Sequence, residues 1–252
     1  MLKAPILGLK RVARAVIPAD WRYQLRQGIN ALRSTESIYT ETYQKNLWGA
    51  AGGDGLQSGS GSRGLPADLY AAMIKEFIVA NNISKVLDLG CGDFAIGKDI
   101  SSVCAQYTGV DVVKMVVERN TREFGSDKVR FQHLNVVQDE LPNADLCLIR
   151  QVLQHLSNDQ IRRILAKLGK YRHLVITEHY PEPDDFVAHN VDKPHGPGTR
   201  LRSGSAVYLD KPPFGVRSLD LLLEVAAGAP TDTASNKIAG GAGHIRSFLV
   251  GL

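Results

Sequence analysis

Four residues in one short span carry the chemistry most legible in this chain. Asp88 sits in the apolar run Val86–Leu89, Gly90 and Gly92 follow at once, and Asp111 ends the next apolar run, 23 residues after Asp88. Glycines at the end of a buried strand let the backbone pass under a ligand with no Cβ in the way. In an open parallel sheet, ligands bind beyond the C-terminal strand ends. A carboxylate at the end of the following strand can accept hydrogen bonds from both hydroxyls of a ribose. A carboxylate beside the glycine loop repels a pyrophosphate and attracts an ammonium.

That last point separates two readings. From Gly90 the chain runs Gly-Cys-Gly-Asp-Phe-Ala, close to the dinucleotide pattern G-x-G-x-x-G/A, and Ala95 is a permitted variant at its sixth position. Asp88 weighs against a dinucleotide. S-adenosylmethionine (SAM) has an α-ammonium, a sulfonium and no phosphate, so an acid beside a close-approach glycine loop suits it. Asp111 would serve a ribose in either case. Asn135, in His-Leu-Asn-Val-Val, could meet an adenine edge.

The elements that must position these residues follow a regular alternation from residue 66. Pro66–Asn82 reads as a helix, Lys85–Gly90 as a strand, Ala95–Gln106 as a helix and Tyr107–Val112 as a strand. Val113–Gly125 reads as a helix, Val129–Val136 and Ala144–Gln151 as strands, Ser157–Lys170 as a helix capped by Ser157 or Asn158, and His173–Tyr180 as a strand. Strands alternating with crossover helices predict a mostly parallel sheet covered on both faces. Residues 181–215 break the rhythm with Pro, Gly, Asp and His. Ser218–Val225 and His244–Leu252 read as strands with no clear helix between them, which predicts an antiparallel pair.

Segment 84–179 resembles the class I SAM-dependent methyltransferases. Val-Leu-Asp-Leu-Gly-Cys-Gly-Asp is similar to their first motif, Gly-Val-Asp-Val-Val to the second, Phe-Gln-His-Leu-Asn-Val-Val to the adenine-contacting third, and 144–157 to the fourth strand and its helix. The resemblance implies an α/β fold: an open, mostly parallel seven-stranded Rossmann-like sheet, helices on both faces and the last strand antiparallel. It implies SAM as cofactor and S-adenosylhomocysteine as product. The implied cofactor residues are Asp88, Gly90, Cys91, Gly92, Asp111, Val112, Asn135, Val136, Arg150 and Gln151. Ser60, Gly61 and Ser62 join them, because residues 58–64 resemble a loop of one bacterial subgroup that closes over the cofactor. Residues 175–214 resemble that subgroup's insert after the fifth strand. The chain departs from the family at Phe94, where a third glycine falls, and at Asn135, where Asp is commoner.

For an oxygen acceptor, a base is needed near the C-terminal strand ends. His179 at the end of the fifth strand leads the candidates, then His155 after the fourth strand and His189 in the insert. Glu178 should face away from His179. Histidine spacing in the insert fits no compact metal site, and no metal is expected. Where amino-methyltransferases acting on nucleobases carry Asn/Asp-Pro-Pro-aromatic, this chain reads Leu-Ile-Arg-Gln. The expected acceptor is a small molecule, a sugar, glycan or secondary metabolite, methylated at oxygen. Two rivals stand: a SAM-binding partner protein without chemistry, and a nucleotide-sugar or NAD-dependent enzyme on a related sheet.

The chain has 252 residues, 44% of them hydrophobic, enough for one buried core. Three cysteines without paired spacing read as reduced thiols of a cytoplasmic protein. The start lacks the sustained apolar stretch of a secretory signal. Residues 1–47 hold eight Lys/Arg and three acids, a net +5, so the remainder is close to neutral and nucleic acid is not an expected partner. Leu2, Ile6, Leu9, Val12 and Val16 recur at helical spacing, a basic helix that packs on the body or contacts a membrane surface or partner. The expected organisation is a basic helical extension at 1–49, a Gly/Ser-rich loop at 50–64, and a SAM-binding domain at 65–252 with a substrate insert at 180–216. Oligomeric state is not encoded legibly.

Overall fold

The computed structural model describes residues 18–49, 56–227 and 242–252. The expected helix over Leu2–Val16, residues 50–55 of the Gly/Ser loop and the small-residue loop 228–241 lie outside the described residues.

Helices α1 (Ala19–Ala31) and α2 (Thr35–Gln44) precede the sheet. Then come α3 (Leu65–Ala80), β1 (Lys85–Leu89), α4 (Gly97–Ile100), β2 (Gln106–Asp111), α5 (Lys114–Phe124), β3 (Val129–His133) and β4 (Leu146–Arg150). The chain ends with α6 (Asn158–Leu165), β5 (His173–Pro181), β6 (Ser218–Ala227) and β7 (Gly243–Gly251). The seven strands lie in the order β3-β2-β1-β4-β5-β7-β6. Strands β1 to β5 pair in parallel, and β7 runs antiparallel to both β5 and β6. The expected seven-stranded sheet with an antiparallel last strand is therefore present.

The apolar strand runs are explained by burial on both faces. Leu87 and Leu89 pack with Ile149, Ile161, Ile164 and Ile176 on the α6 side. Val86 packs with Tyr70, Ile74, Ile78 and Leu148 on the α3 side. Neighbours along β1 thus enter opposite cores, as a pleated strand requires.

Two expected helices are shorter than their patterns. After α4 the chain tightens into a 3-10 turn at Ser101–Val103. There Ser101 Oγ donates to Lys98 O at 2.9 Å and Ser102 Oγ to Asp99 O at 2.6 Å, side-chain bonds that compete with helix propagation. Helix α6 begins at a full capping box, Ser157 with Gln160, and ends at Leu165. No described helix is long and apolar enough to cross a membrane. Cys91, Cys104 and Cys147 are free thiols.

Candidate functional site

Strand order reverses between β1 and β4, which opens a crevice at their C-terminal ends. A cavity of about 380 Å³ lies there. Its lining includes Asp88, Gly90, Cys91, Gly92, Asp111, Val112, Asn135, Val136, Arg150 and Gln151. Gly61, Ser62, His155 and His179 also line it. Ser60 begins the 3-10 turn Ser60–Ser62. His189 is outside the lining: its ring packs on Phe186 at 4.9 Å and Tyr208 at 4.5 Å. A chemical role for His189 therefore has no geometric support.

The glycine loop is shaped by close approach. Gly90 has φ +79°, and a Cβ on it would lie 2.5 Å from Val152 Cγ2. Gly92 has φ +54°, and its Cβ would lie 2.1 Å from Ser58 Oγ. Phe94, where the third family glycine falls, also takes φ +62°. Phenylalanine holds that costly conformation because its ring is buried against Phe131, Phe124 and Tyr107, with centroids at 4.8, 5.2 and 5.4 Å.

Two acids face the cavity from adjacent strands. Tyr107 donates its hydroxyl to Asp88 Oδ2. Burial pushes Asp88 up to about 6, against the opposing influence of that bond and of Arg150. Asp111 accepts from Gly92 N at 3.1 Å and from Val113 N at 2.9 Å, one bond per oxygen, so each oxygen keeps acceptor capacity. Burial raises Asp111 above the ordinary carboxylate range, and the backbone bonds oppose the rise.

Arg150 completes this end. Its guanidinium lies over the Tyr70 ring at 5.0 Å, and Nε and Nη2 are buried without a partner. A half-buried arginine with unused buried donors beside a half-buried acid suits a zwitterion carrying both ammonium and carboxylate. Asn135 is partly engaged: Oδ1 accepts from Val137 N at 3.0 Å and Nδ2 donates to Thr35 Oγ1 at 3.3 Å.

From β5, His179 projects with Nε2 buried and unpartnered. Burial, helped by His244, lowers it to about 4, so its imidazole is neutral near pH 7. His155 packs against Trp48 at 5.5 Å and Tyr39 at 6.4 Å, and burial lowers it to about 3. Glu178 points into the fold and accepts from Leu153 N at 2.8 Å and Gln154 N at 3.1 Å. It thereby holds the turn that presents His155, and burial raises it to about 8.

Several lining residues carried no signal in sequence. Tyr39 and Tyr43 come from α2, and Trp48 follows it. Trp48 Nε1 donates to Pro197 O at 3.2 Å, which joins the segment after α2 to the insert, and Tyr39 OH donates to His155 O at 3.1 Å, which joins α2 to the turn after β4. Three aromatics in a polar N-terminal segment were the available hint. Arg200 is buried, with Nη2 donating to Leu156 O at 2.7 Å and Nη1 to Val191 O, so it fastens the insert and does not face a substrate.

Comparison with known proteins fits this geometry. A family model described as a methyltransferase domain matches residues 87–174. An uncharacterized methyltransferase of Mycobacterium tuberculosis is 28% identical over 105 residues, which is 41% of this chain and 52% of the relative. An uncharacterized methyltransferase of Mycobacterium bovis matches to the same extent. The chain thus spans about half the length of the curated relatives it matches. Among solved structures, the N-methyltransferase NodS of Bradyrhizobium japonicum, in complex with S-adenosylhomocysteine, superposes with a TM-score of 0.56 at 14% identity, covering 84% of this chain and 98% of that one. A SAM-dependent methyltransferase of Leishmania major superposes with a TM-score of 0.53 at 15% identity, covering 84% and 82%. The motif loop, the sheet order and the matched segment agree: residues 87–174 match a methyltransferase domain, set in a sheet of the class I, SAM-dependent methyltransferase kind.

Proposed function

We propose that this protein transfers the methyl group of SAM to a hydroxyl of a small-molecule acceptor, a sugar, glycan or secondary metabolite. The observation that carries the reading is the neutral, unpartnered His179 Nε2 in the same cavity as Asp88, Asp111 and Arg150.

On this reading Asp88 faces the α-ammonium of SAM and Arg150 its carboxylate. Asp111 takes the ribose hydroxyls, with Val112 beside it. Asn135 and Val136 border the adenine. Gly90, Cys91, Gly92 and Gln151 let the backbone approach closely, and residues 60–62 cover the site. When bound, SAM supplies an electrophilic methyl group on a sulfonium. His179 Nε2 accepts the acceptor's hydroxyl proton as the new O–C bond forms and the C–S bond breaks, the sulfur keeping the electron pair. The walls contributed by Tyr39, Tyr43 and Trp48 keep water from the methyl group. His155 narrows the acceptor end as a neutral aromatic surface.

The test is transfer of label from methyl-labelled SAM to a panel of hydroxylated small molecules, with the methylated atom located by NMR. Label on an oxygen supports the proposal. Binding of SAM with no transfer to any acceptor would favour a partner protein without chemistry, and label on a nitrogen would overturn the assignment to oxygen.

A further inference from the structure

Helix α1 is inside out. Its inward side is polar: Asn30 is only 6% exposed, and a Cβ on Gly196 would lie 2.6 Å from Asn30 Nδ2. Gln27 Oε1 is also buried. Its outward side is apolar: Trp21 is 74% exposed, Leu25 61%, Ile29 51%, and Leu32, just past the helix end, 91%. The spacing of four, four and three residues places them on one stripe. Elsewhere on the described surface, large exposed apolar side chains occur singly or in pairs. A helix resting against a protein in water buries the opposite face.

Charge says what covers the stripe. Residues 21–35 contain Arg22, Arg26 and Arg33 and no acid, and residues 1–35 as a whole carry seven Lys/Arg against Asp20 alone. A second copy seated on the stripe would bring two basic surfaces together, and so would the chain's own first 17 residues, which hold four bases and no acid. An anionic surface gains from both features. Tryptophan and leucines on one side with arginines at the shoulder is the composition of a helix that lies in a bilayer interface.

We propose that α1 seats the protein on an anionic lipid surface, with Trp21, Leu25, Ile29 and Leu32 entering the headgroup–acyl boundary and the exposed Arg26 meeting lipid phosphates. Helix α1 passes directly into α2, whose Thr35, Tyr39 and Tyr43 line the cavity, so docking brings that wall of the site towards the bilayer.

The test is co-sedimentation of the full chain with phosphatidylcholine vesicles, with and without phosphatidylglycerol. The wild type should pellet with the anionic vesicles, remain in solution with the neutral ones, and be released by salt. The double variant Leu25→Ser/Leu32→Ser should partition about tenfold less or weaker still, because two apolar side chains no longer enter the lipid. Both leucines are exposed, so its thermal unfolding should match the wild type. No sedimentation with anionic vesicles, or equal sedimentation of wild type and variant, would overturn the proposal. So would a wild-type dimer that the double variant converts to monomer in light scattering, since the stripe would then be a self-interface.

Discussion

Ser58 and Asp93 hydrogen-bond each other reciprocally. Ser58 N donates to Asp93 Oδ2 at 3.1 Å, and Asp93 N donates to Ser58 Oγ at 2.6 Å. Arg63 adds an ion pair to the same carboxylate at 2.8 Å, and Asp93 Oδ1 accepts from Ala95 N at 3.2 Å. One buried acid at the end of the glycine motif thus fastens the Gly/Ser segment over the cavity. Asp93→Ala should weaken cofactor affinity about tenfold or more, since charge-assisted bonds are among the stronger ones. It should also speed protease cleavage between residues 56 and 64. Unchanged cleavage would mean that Asp93 does not hold the loop.

Phe94 tests strain against packing. Replacement by glycine relieves a left-handed backbone costing about 1–2 kcal/mol. It also removes a large aromatic side chain only 2% exposed, a loss of about 3–5 kcal/mol. Packing wins, so Phe94→Gly should destabilise the protein by about 2 kcal/mol in urea unfolding. A more stable variant would show that the ring contributes less than the strain costs.

Acid should destabilise the protein through its buried imidazoles. His155 and His179 have folded-state values pushed down to about 3 and about 4. Below pH 6.5 the unfolded chain takes up protons at these rings and the native protein does not, so their contribution to stability falls as pH drops from 6.5 towards 4. Asp88 and Glu178, raised to about 6 and about 8, act in the opposite sense, binding protons first in the native state. Comparing variants isolates one group: His155→Gln should lose less stability than the wild type over that interval. Parallel profiles would mean that His155 is protonated in the native state.

His179→Ala should leave SAM and S-adenosylhomocysteine affinity within about twofold while lowering kcat about 10²–10⁴-fold, the usual contribution of a positioned base. An unchanged kcat would remove His179 from the chemistry.

The parts of the fold and site that the sequence revealed are those governed by local rules. Strand burial wrote itself as apolar runs such as Leu146–Ile149, and Ser157 with Gln160 marked the start of α6 by its capping box. Asp88 and Asp111 were legible because an acid at the end of an apolar run has few structural reasons to be there. The tyrosines of α2, Trp48 and the Asp93 fastening were not legible, because they depend on contacts between distant segments such as Trp48 with Pro197. The burial of Arg200 was not legible either, because only the folded insert surrounds it with the carbonyls of Leu156 and Val191. Phe94 broke the family pattern, and its compensation came from Phe124 and Phe131, 30 and 37 residues further on.

The central claim is that Asp88, Arg150 and Asp111 form a site for SAM. Calorimetric titration of the wild type and of Asp111→Ala with SAM, S-adenosylhomocysteine and NAD tests it most directly. The account predicts that the wild type binds the first two and ignores NAD, and that Asp111→Ala weakens both by about 1.5–3 kcal/mol, the value of a charge-assisted hydrogen bond. NAD binding, or SAM binding indifferent to Asp111→Ala, would contradict it.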